Sequence, residues 1–425
     1  MKTPLKLRLL GAGMLALAAA GCLRINVQGD PARALDQLES AMRQAVPVRV
    51  ATYNTSLYSD EDGGLIRRLE NGDDKARRIA AVLQRVRPDL VLLNEFDYDP
   101  AQRAADLFQH DYLETPQSAG GAALRYPYRY LAPVNTGVAS GLDLDGDGKV
   151  GGSDPALAGQ TNAPRARGND AWGFGLHPGQ YGMLVLSRYP IEVADVRTFQ
   201  LLKWSALPDA IQPIDPASRR HHYPDAIWKQ LRLSSKSHWD LPVRTPQGVV
   251  HLLASHPTPP VFDGPENRNG ARNFDEIRLW AEYLSTGAKS WLCDDHGRCG
   301  GLDADAQFVI AGDLNADPDD GEGMPGAVAQ LLRHPRVDPG FVPRSEGAVD
   351  RAADHALPRK GPVATHTGDF GPKVGTLRLD YLLPSRGLRV LDGAVFWPAS
   401  GVLEEDPTTA SDHHLVWLDV VSAPR

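Results

Sequence analysis

Cysteine is scarce. The 425-residue chain has three, which excludes a disulfide-dense scaffold and leaves too few thiolates for a zinc centre built on four cysteines. A basic excess is also missing: 45 Lys and Arg face 53 Asp and Glu, for a formal charge of -8 at pH 7. Such a chain lacks the electrostatic footprint of tight nucleic-acid binding. It does not exclude a hydrolase that meets phosphate through its own metal. Beyond Ala20 no apolar run is long enough to span a membrane, and no period suggests a repeat array. Gly and Pro are plentiful, 41 and 34, and predict many loops. With 42% hydrophobic and 23% charged residues, the composition is that of one large α/β domain with insertions, or of two modest domains.

The first residues read as an export leader. Lys2, Lys6 and Arg8 form a basic region, Leu9 to Ala20 is apolar and small, and Ala-Ala-Gly-Cys ends at Cys22. This pattern predicts a signal peptide over 1–21 and lipidation of Cys22, although Ala19 stands where Leu is usual; an ordinary cleaved signal is the alternative. Residues 22–46 read as a tether and 47–425 as the domain. Removing the leader takes away three basic and no acidic residues, moving the formal charge from -8 to -11. The chain is then expected to be exported and held at the cell envelope by lipid alone. Cys293 and Cys299 flank a polar loop and predict a disulfide, because a metal pair with His296 offers too few ligands.

Strand and helix signals alternate. RVATYN (49–54) and LVLLNEF (90–96) read as strands around a helix over 74–87, with Ala76, Ile79, Ala80, Leu83 and Val86 on one face. Residues 100–172 read as a loop-rich insertion. Further strands are expected at 181–190, 232–243, 249–256, 306–315, 376–385, 388–396 and 414–421, with a helix over 272–286. Polar residues recur at the ends of these apolar runs: Asn54, Glu95, His256, Asp313, Asn315, Asp380, Asp412 and His413. Strand ends that gather carboxylates, amides and imidazoles suit a hard divalent cation with histidines beside it.

The pieces TYN, LLNEF, GQYGMLVLSR, SHPTPP, GDLNADP, LRLDYLLPS and SDHHLVW, in that order over 49–420, resemble the endonuclease/exonuclease/phosphatase superfamily. The resemblance implies a four-layer α/β sandwich of two mixed β-sheets flanked by helices. It implies hydrolysis of a phosphodiester or phosphomonoester by activated water. Glu95 would be the main ligand of Mg²⁺ or Mn²⁺, with Asn54 and Asp412 beside it. His413, oriented by Asp380, would be the base; His256 would serve the leaving side; Asp313 and Asn315 would orient water and a phosphoryl oxygen. Lys236 and His238 are candidate phosphate contacts, with Arg272 and Gln180 weaker ones. Ser56 stands where abasic-site endonucleases carry Asp. TLRLDYLLPS lacks the Trp of the inositol-polyphosphate phosphatases, and no clear apolar hairpin of the sphingomyelinase kind is visible. The substrate is therefore open between small phosphoesters and nucleic acid, and a non-catalytic binding lipoprotein of the same fold is the alternative. No protein partner is inferable.

A second metal signal is DLDGDGKVGGSD (143–154). Asp143, Asp145, Asp147, the Lys149 carbonyl and Asp154 take the ligand positions of an EF-hand-type calcium loop, and Gly148 supplies its turn. Without clear flanking helices, it reads as a lone structural Ca²⁺ loop.

Overall fold

The computed structural model describes residues 46–151, 163–287, 289–403 and 406–423. The leader, Cys22, tether residues 23–45 and Asp154 lie outside them. Val48–Arg425 forms one compact unit. Among the described residues its strands are β1 (Val48–Leu57), β2 (Leu90–Phe96), β3 (Tyr128–Tyr130), β4 (Met183–Ser187), β5 (Arg197–Thr198), β6 (His238–Thr245) and β7 (Gly248–Ser255). There follow β8 (Gln307–Asp313), β9 (Gly368–Asp369), β10 (Thr376–Leu377), β11 (Asp380–Pro384), β12 (Leu388–Val395) and β13 (Val416–Ser422). The helices that matter here are α1 (Asp74–Val86), α2 (Arg268–Leu284) and α3 (Glu346–His355).

Two mixed sheets carry the fold. One runs β12-β13-β1-β2-β4-β3 and the other β11-β8-β7-β6-β5. Each has one parallel pair at its centre, β1 with β2 and β7 with β8, and antiparallel neighbours outside it. Side chains alternate between faces along each strand. Val50, Leu90 and Leu92 therefore meet Leu241, Leu252 and Val309 between the sheets. On the outer face of the first sheet Ala51, Tyr53 and Leu93 pack against Ile79 and Leu83 of α1. On the outer face of the second, Leu253, Phe308 and Ile310 pack against Ile277 and Trp280 of α2. Helix, sheet, sheet and helix make the four layers. Burial on both faces is why the strands read as near-continuous apolar runs.

The helix expected over 74–87 ends one residue earlier. Asp73 caps it by accepting from Ala76 N at 2.8 Å, and Arg87 turns into the left-handed region before Pro88. Three expectations need correction. The strand expected from 232 begins at His238, because the backbone at Ser235 is drawn to α2. The strand over 376–385 divides into β10 and β11, because Thr367 Oγ1 accepts from both Leu379 N and Asp380 N at 3.0 Å. The insertion over 100–172 is not all loop: it holds a helix at Arg103–Leu107 and supplies β3 to the edge of the first sheet. Helix α3 was not legible, since it buries only Gly347 and Ala348 and shows no apolar stripe.

A polar side chain ties the two sheets together. Asn94 of β2 accepts from Asp313 N at 3.1 Å and donates to Ser255 O at 3.4 Å, while fully buried. Asn94→Ala strands both backbone groups, and we expect a loss of about 1–3 kcal/mol in urea unfolding. Stability equal to the wild type would remove this link from the account of the fold.

Candidate active site

Register brings the polar residues together. Asn54 pairs with Asn94 across β1 and β2, and Asp380 with Asp313 across β11 and β8. Just past Asn54 the β1–β2 register shifts, with Thr55 and Ser56 set against Glu95 alone. Ser56 and Glu95 have φ of 46° and 56°, and Asn315, two residues after β8 ends in Asp313, has φ of 52°. Bulges and left-handed non-glycine residues re-aim side chains at the cost of local strain, and they cluster at functional sites.

Asp313 Oδ2 is the hub. It accepts from Asn54 Nδ2 at 3.0 Å, and His256 Nε2 and His413 Nε2 lie 3.5 and 3.6 Å away. Asn54 Nδ2 also donates to Glu95 Oε1 at 3.0 Å. On its other nitrogen, His413 Nδ1 meets Asp380 Oδ2 at 2.8 Å, and Thr367 Oγ1 donates to the same oxygen at 2.7 Å. Asp313 Oδ1 accepts from Asn315 N at 2.9 Å, and Asn315 Nδ2 donates to Pro257 O at 3.1 Å. Asp412 is exposed at the rim, 3.3 Å from Ser56 Oγ.

The electrostatics divide the two imidazoles. Burial opposes a charge on His413, but the Asp380 and Asp313 carboxylates outweigh it and raise it well above the ordinary histidine range. Burial, reinforced by the Lys236 ammonium and by His413, holds His256 far below that range. The two imidazoles are thus pushed in opposite directions, His413 up and His256 down, the pattern by which a site separates acid from base. Burial pushes Glu95 up, against the Asn54 hydrogen bond, and Asp412 adds to the rise.

Two neighbouring carboxylates that disfavour each other's charge are relieved by a cation. The donors on Glu95 and Asp412, with the Asn54 amide, are oxygens, which fit a hard divalent ion such as Mg²⁺. Asp313, Asp380 and His413 also bring ligand atoms within 4.8 Å of one another, although His413 and Asp380 are already joined through Nδ1.

Other expected residues fall elsewhere. His238 is a correction: it is fully buried, with Nδ1 on Ser234 Oγ and Nε2 at 2.9 Å from Glu276 O, so neither nitrogen is offered to a substrate. Arg272 donates to the carbonyls of Leu233, Trp172 and Arg232, and Gln180 bonds Ser59 O and Leu176 N. Lys236 does lie within the field of Glu95 and Asp313. The carboxylates of Asp143, Asp145 and Asp147 converge within 4.8 Å. Gly146 N and Gly148 N donate to the two Asp143 oxygens, and Lys149 N donates to Asp147 Oδ1. This cluster is separate in sequence from the residues around Asp313. Cys293 and Cys299 form a disulfide. His414, next to His413, stacks on Trp397 with centroids 3.6 Å apart.

Sequence reasoning missed three residues. Thr367 orients Asp380 from a loop with no motif around it, and Asn94, inside the LLNEF run, orients Asp313. Lys75, half-buried in the first turn of α1, lies in the field of Asp412 and Glu95. A lysine in the first turn of a helix, where a carboxylate is favoured by the dipole, was the available signal.

The sequence model described as "Endonuclease/Exonuclease/phosphatase family" matches residues 51–413. The chain belongs to this family. Members of the family are generally divalent-metal-dependent hydrolases of phosphoester bonds. Among solved structures, the chain is similar to an endonuclease/exonuclease/phosphatase from Beutenbergia cavernae DSM 12333, at 20% identity and TM-score 0.47, over 89% of this chain and 72% of that one. It is similar to sphingomyelinase C from Streptomyces griseocarneus, at 20% identity and TM-score 0.43, over 88% and 99%. A Staphylococcus aureus beta toxin mutant with bound magnesium ions aligns at 13% identity and TM-score 0.40, over 89% and 100%. No curated protein matches the chain by sequence.

Burial holds His238 down to about 4, whereas in the unfolded chain it titrates near 6.5. The unfolded state therefore gains a proton that the folded state refuses as pH falls from about 6.5 to 4, and stability falls with it, by at most about 1.4 kcal/mol per pH unit. His238→Gln, which keeps a donor and an acceptor, should flatten the slope of stability between pH 7 and 5 in urea unfolding. Equal slopes would exclude His238 as a source of the acid sensitivity.

Proposed function

We propose that the chain is an exported, divalent-metal-dependent phosphoester hydrolase anchored at the cell envelope through Cys22. The observation that carries the catalytic part is the shared Asp313 carboxylate, with His256 Nε2 and His413 Nε2 at 3.5 and 3.6 Å from its Oδ2, next to the Glu95–Asn54 pair. Water attacks phosphorus in line with the leaving ester oxygen; the P–O ester bond breaks; one proton leaves the water and one reaches the leaving oxygen. The two imidazoles are placed to handle those protons, and Asp380 holds His413 in one orientation. Asp313 and Asn315 orient the water and a phosphoryl oxygen. When bound by Glu95, Asn54 and Asp412, Mg²⁺ or Mn²⁺ lowers the negative charge that repels the nucleophile. The formal charge of -11 without the leader weighs against a polyanionic substrate and favours small phosphoesters over nucleic acid. The leader-like first residues support export, and the Cys293–Cys299 disulfide agrees with an oxidising compartment.

We further propose that the Asp143–Asp154 loop binds Ca²⁺ as a structural ion. Its support is the convergence of Asp143, Asp145 and Asp147 and the inward-turned N–H groups of Gly146 and Gly148.

Hydrolysis should be measured on plasmid DNA, RNA, bis-p-nitrophenyl phosphate, p-nitrophenyl phosphate and sphingomyelin. We expect turnover of a small ester with Mg²⁺ or Mn²⁺ and none with EDTA. Glu95→Gln, Asp313→Asn and His413→Ala should each cost about 10²–10⁴-fold with folding retained; a wild-type rate in any of them would refute the assigned site. For the loop, Asp145→Ala should lower the melting temperature in calcium and leave turnover unchanged. Identical wild-type melting in calcium and in chelator would dismiss the Ca²⁺ reading.

A further inference from the structure

Lys236 stands just ahead of β6 and is 5% exposed. Among the described residues its ammonium makes no hydrogen bond and has no carboxylate within 4.0 Å. A buried charge without a partner is costly, and burial accordingly pushes this lysine below its ordinary value, with Glu276, Glu95 and Asp313 acting from a distance in the opposite sense. A fold keeps such a group where a ligand supplies the missing charge.

The surroundings are built to hold it. His238 pairs with Ser255 at the end of the β6–β7 ladder, with Lys236 two residues before His238 and His256 next after Ser255. Glu276 of α2, fully buried, accepts from Ser235 N at 2.7 Å and from Thr258 N at 2.6 Å. One carboxylate thus clamps the segment that carries Lys236 to the segment that carries His256. With both oxygens on backbone N–H groups, Glu276 supports the position of the lysine without pairing with it. Arg272, one turn away, has Nε and Nη2 engaged by three carbonyls. Three more buried polar atoms in the same two segments have no hydrogen-bond partner among the described residues: Ser235 Oγ, Thr258 Oγ1 and His256 Nδ1.

We propose that Lys236 is a substrate-binding residue, donating to a non-bridging oxygen of the phosphoryl group held beside His256. An ammonium is a compact point charge with three donors, suited to a phosphoryl oxygen whose orientation is set by other groups. This assignment rests on the phosphoester reading, and it adds a protein cation to the charge supplied at Glu95.

The test is calorimetric titration of inorganic phosphate into the full chain, once with Mg²⁺ and once with EDTA, alongside Lys236→Met and Lys236→Gln. We expect both variants to weaken phosphate by about tenfold or more, to keep wild-type Mg²⁺ affinity, and to melt no lower than the wild type, since a buried unpaired charge has been removed. Phosphate affinity within about twofold of wild type in both variants would overturn the assignment. So would the absence of phosphate binding in the wild type, or a loss of affinity that tracks a fall in melting temperature. A chain that binds phosphate through Lys236 but hydrolyses no ester would keep this subsite and lose the hydrolase reading.

Discussion

The Asp313 carboxylate is where the two sheets meet chemically. It stands at the end of β8, in the second sheet, and takes a hydrogen bond from Asn54 of the first. Its backbone N–H is received by Asn94, also of the first sheet. Everything else at the site is placed relative to this junction: Glu95 through Asn54, His256 and His413 through Asp313 Oδ2, and Asp380 through its register opposite Asp313. Apolar packing between the sheets is non-directional and would tolerate a small slide. The pair of asparagines does not, because a hydrogen bond in a buried setting is lost within a fraction of an ångström and leaves a desolvated group behind.

The same junction concentrates charge where water is scarce. The carboxylates of Glu95, Asp313, Asp380 and Asp412 act on His413, Lys75 and Lys236 around the hub, and where the groups are buried the interaction is stronger than it would be at the surface. The consequence is a division of labour among like residues. His413 is pushed towards the charged form by two carboxylates while His256, a few ångströms from the same oxygen, is pushed towards the neutral form by burial and by the positive charge of Lys236 and His413. His238 and His414 show that burial alone yields inert histidines: burial holds each of them down, the first with both nitrogens engaged and the second stacked on Trp397. What distinguishes His413 is a carboxylate on either side.

Much of this was legible in the sequence because strands buried on both faces leave an unmistakable trace. A polar residue at the end of an apolar run such as FVIAGDLN or LVLLNEF stands out, and a series of such ends in order exceeds what turn chemistry alone requires. The C-terminal end of α1 was legible to within one residue for a local reason, the Arg-Pro pair that follows it. Thr367 was not legible, since a hydroxyl in a loop has no signature until its partner on another strand is known, and Asn94, although inside LVLLNEF, showed its role only once Asp313 N and Ser255 O were placed against it. His238 misled for the same reason: a histidine in a polar strand segment looks available until Ser234 and the Glu276 carbonyl are placed against it. Helix α3 escaped because it buries almost nothing.

By itself the sequence determined the order of the strand ends and the residue types that gather there, because these follow from apolar patterning and turn chemistry within a few residues of chain; the four layers were implied only by the family resemblance. The tertiary structure alone decided which histidine lies between two carboxylates, which lysine is left without a counterion, and which candidates are merely structural. Those outcomes depend on charges and hydrogen-bond partners far away in sequence, as in the pairs Asn54 with Glu95 and Asn54 with Asp313, separated by 41 and 259 residues. Burial and distance between them are properties of the packed sheets, and no local pattern encodes either.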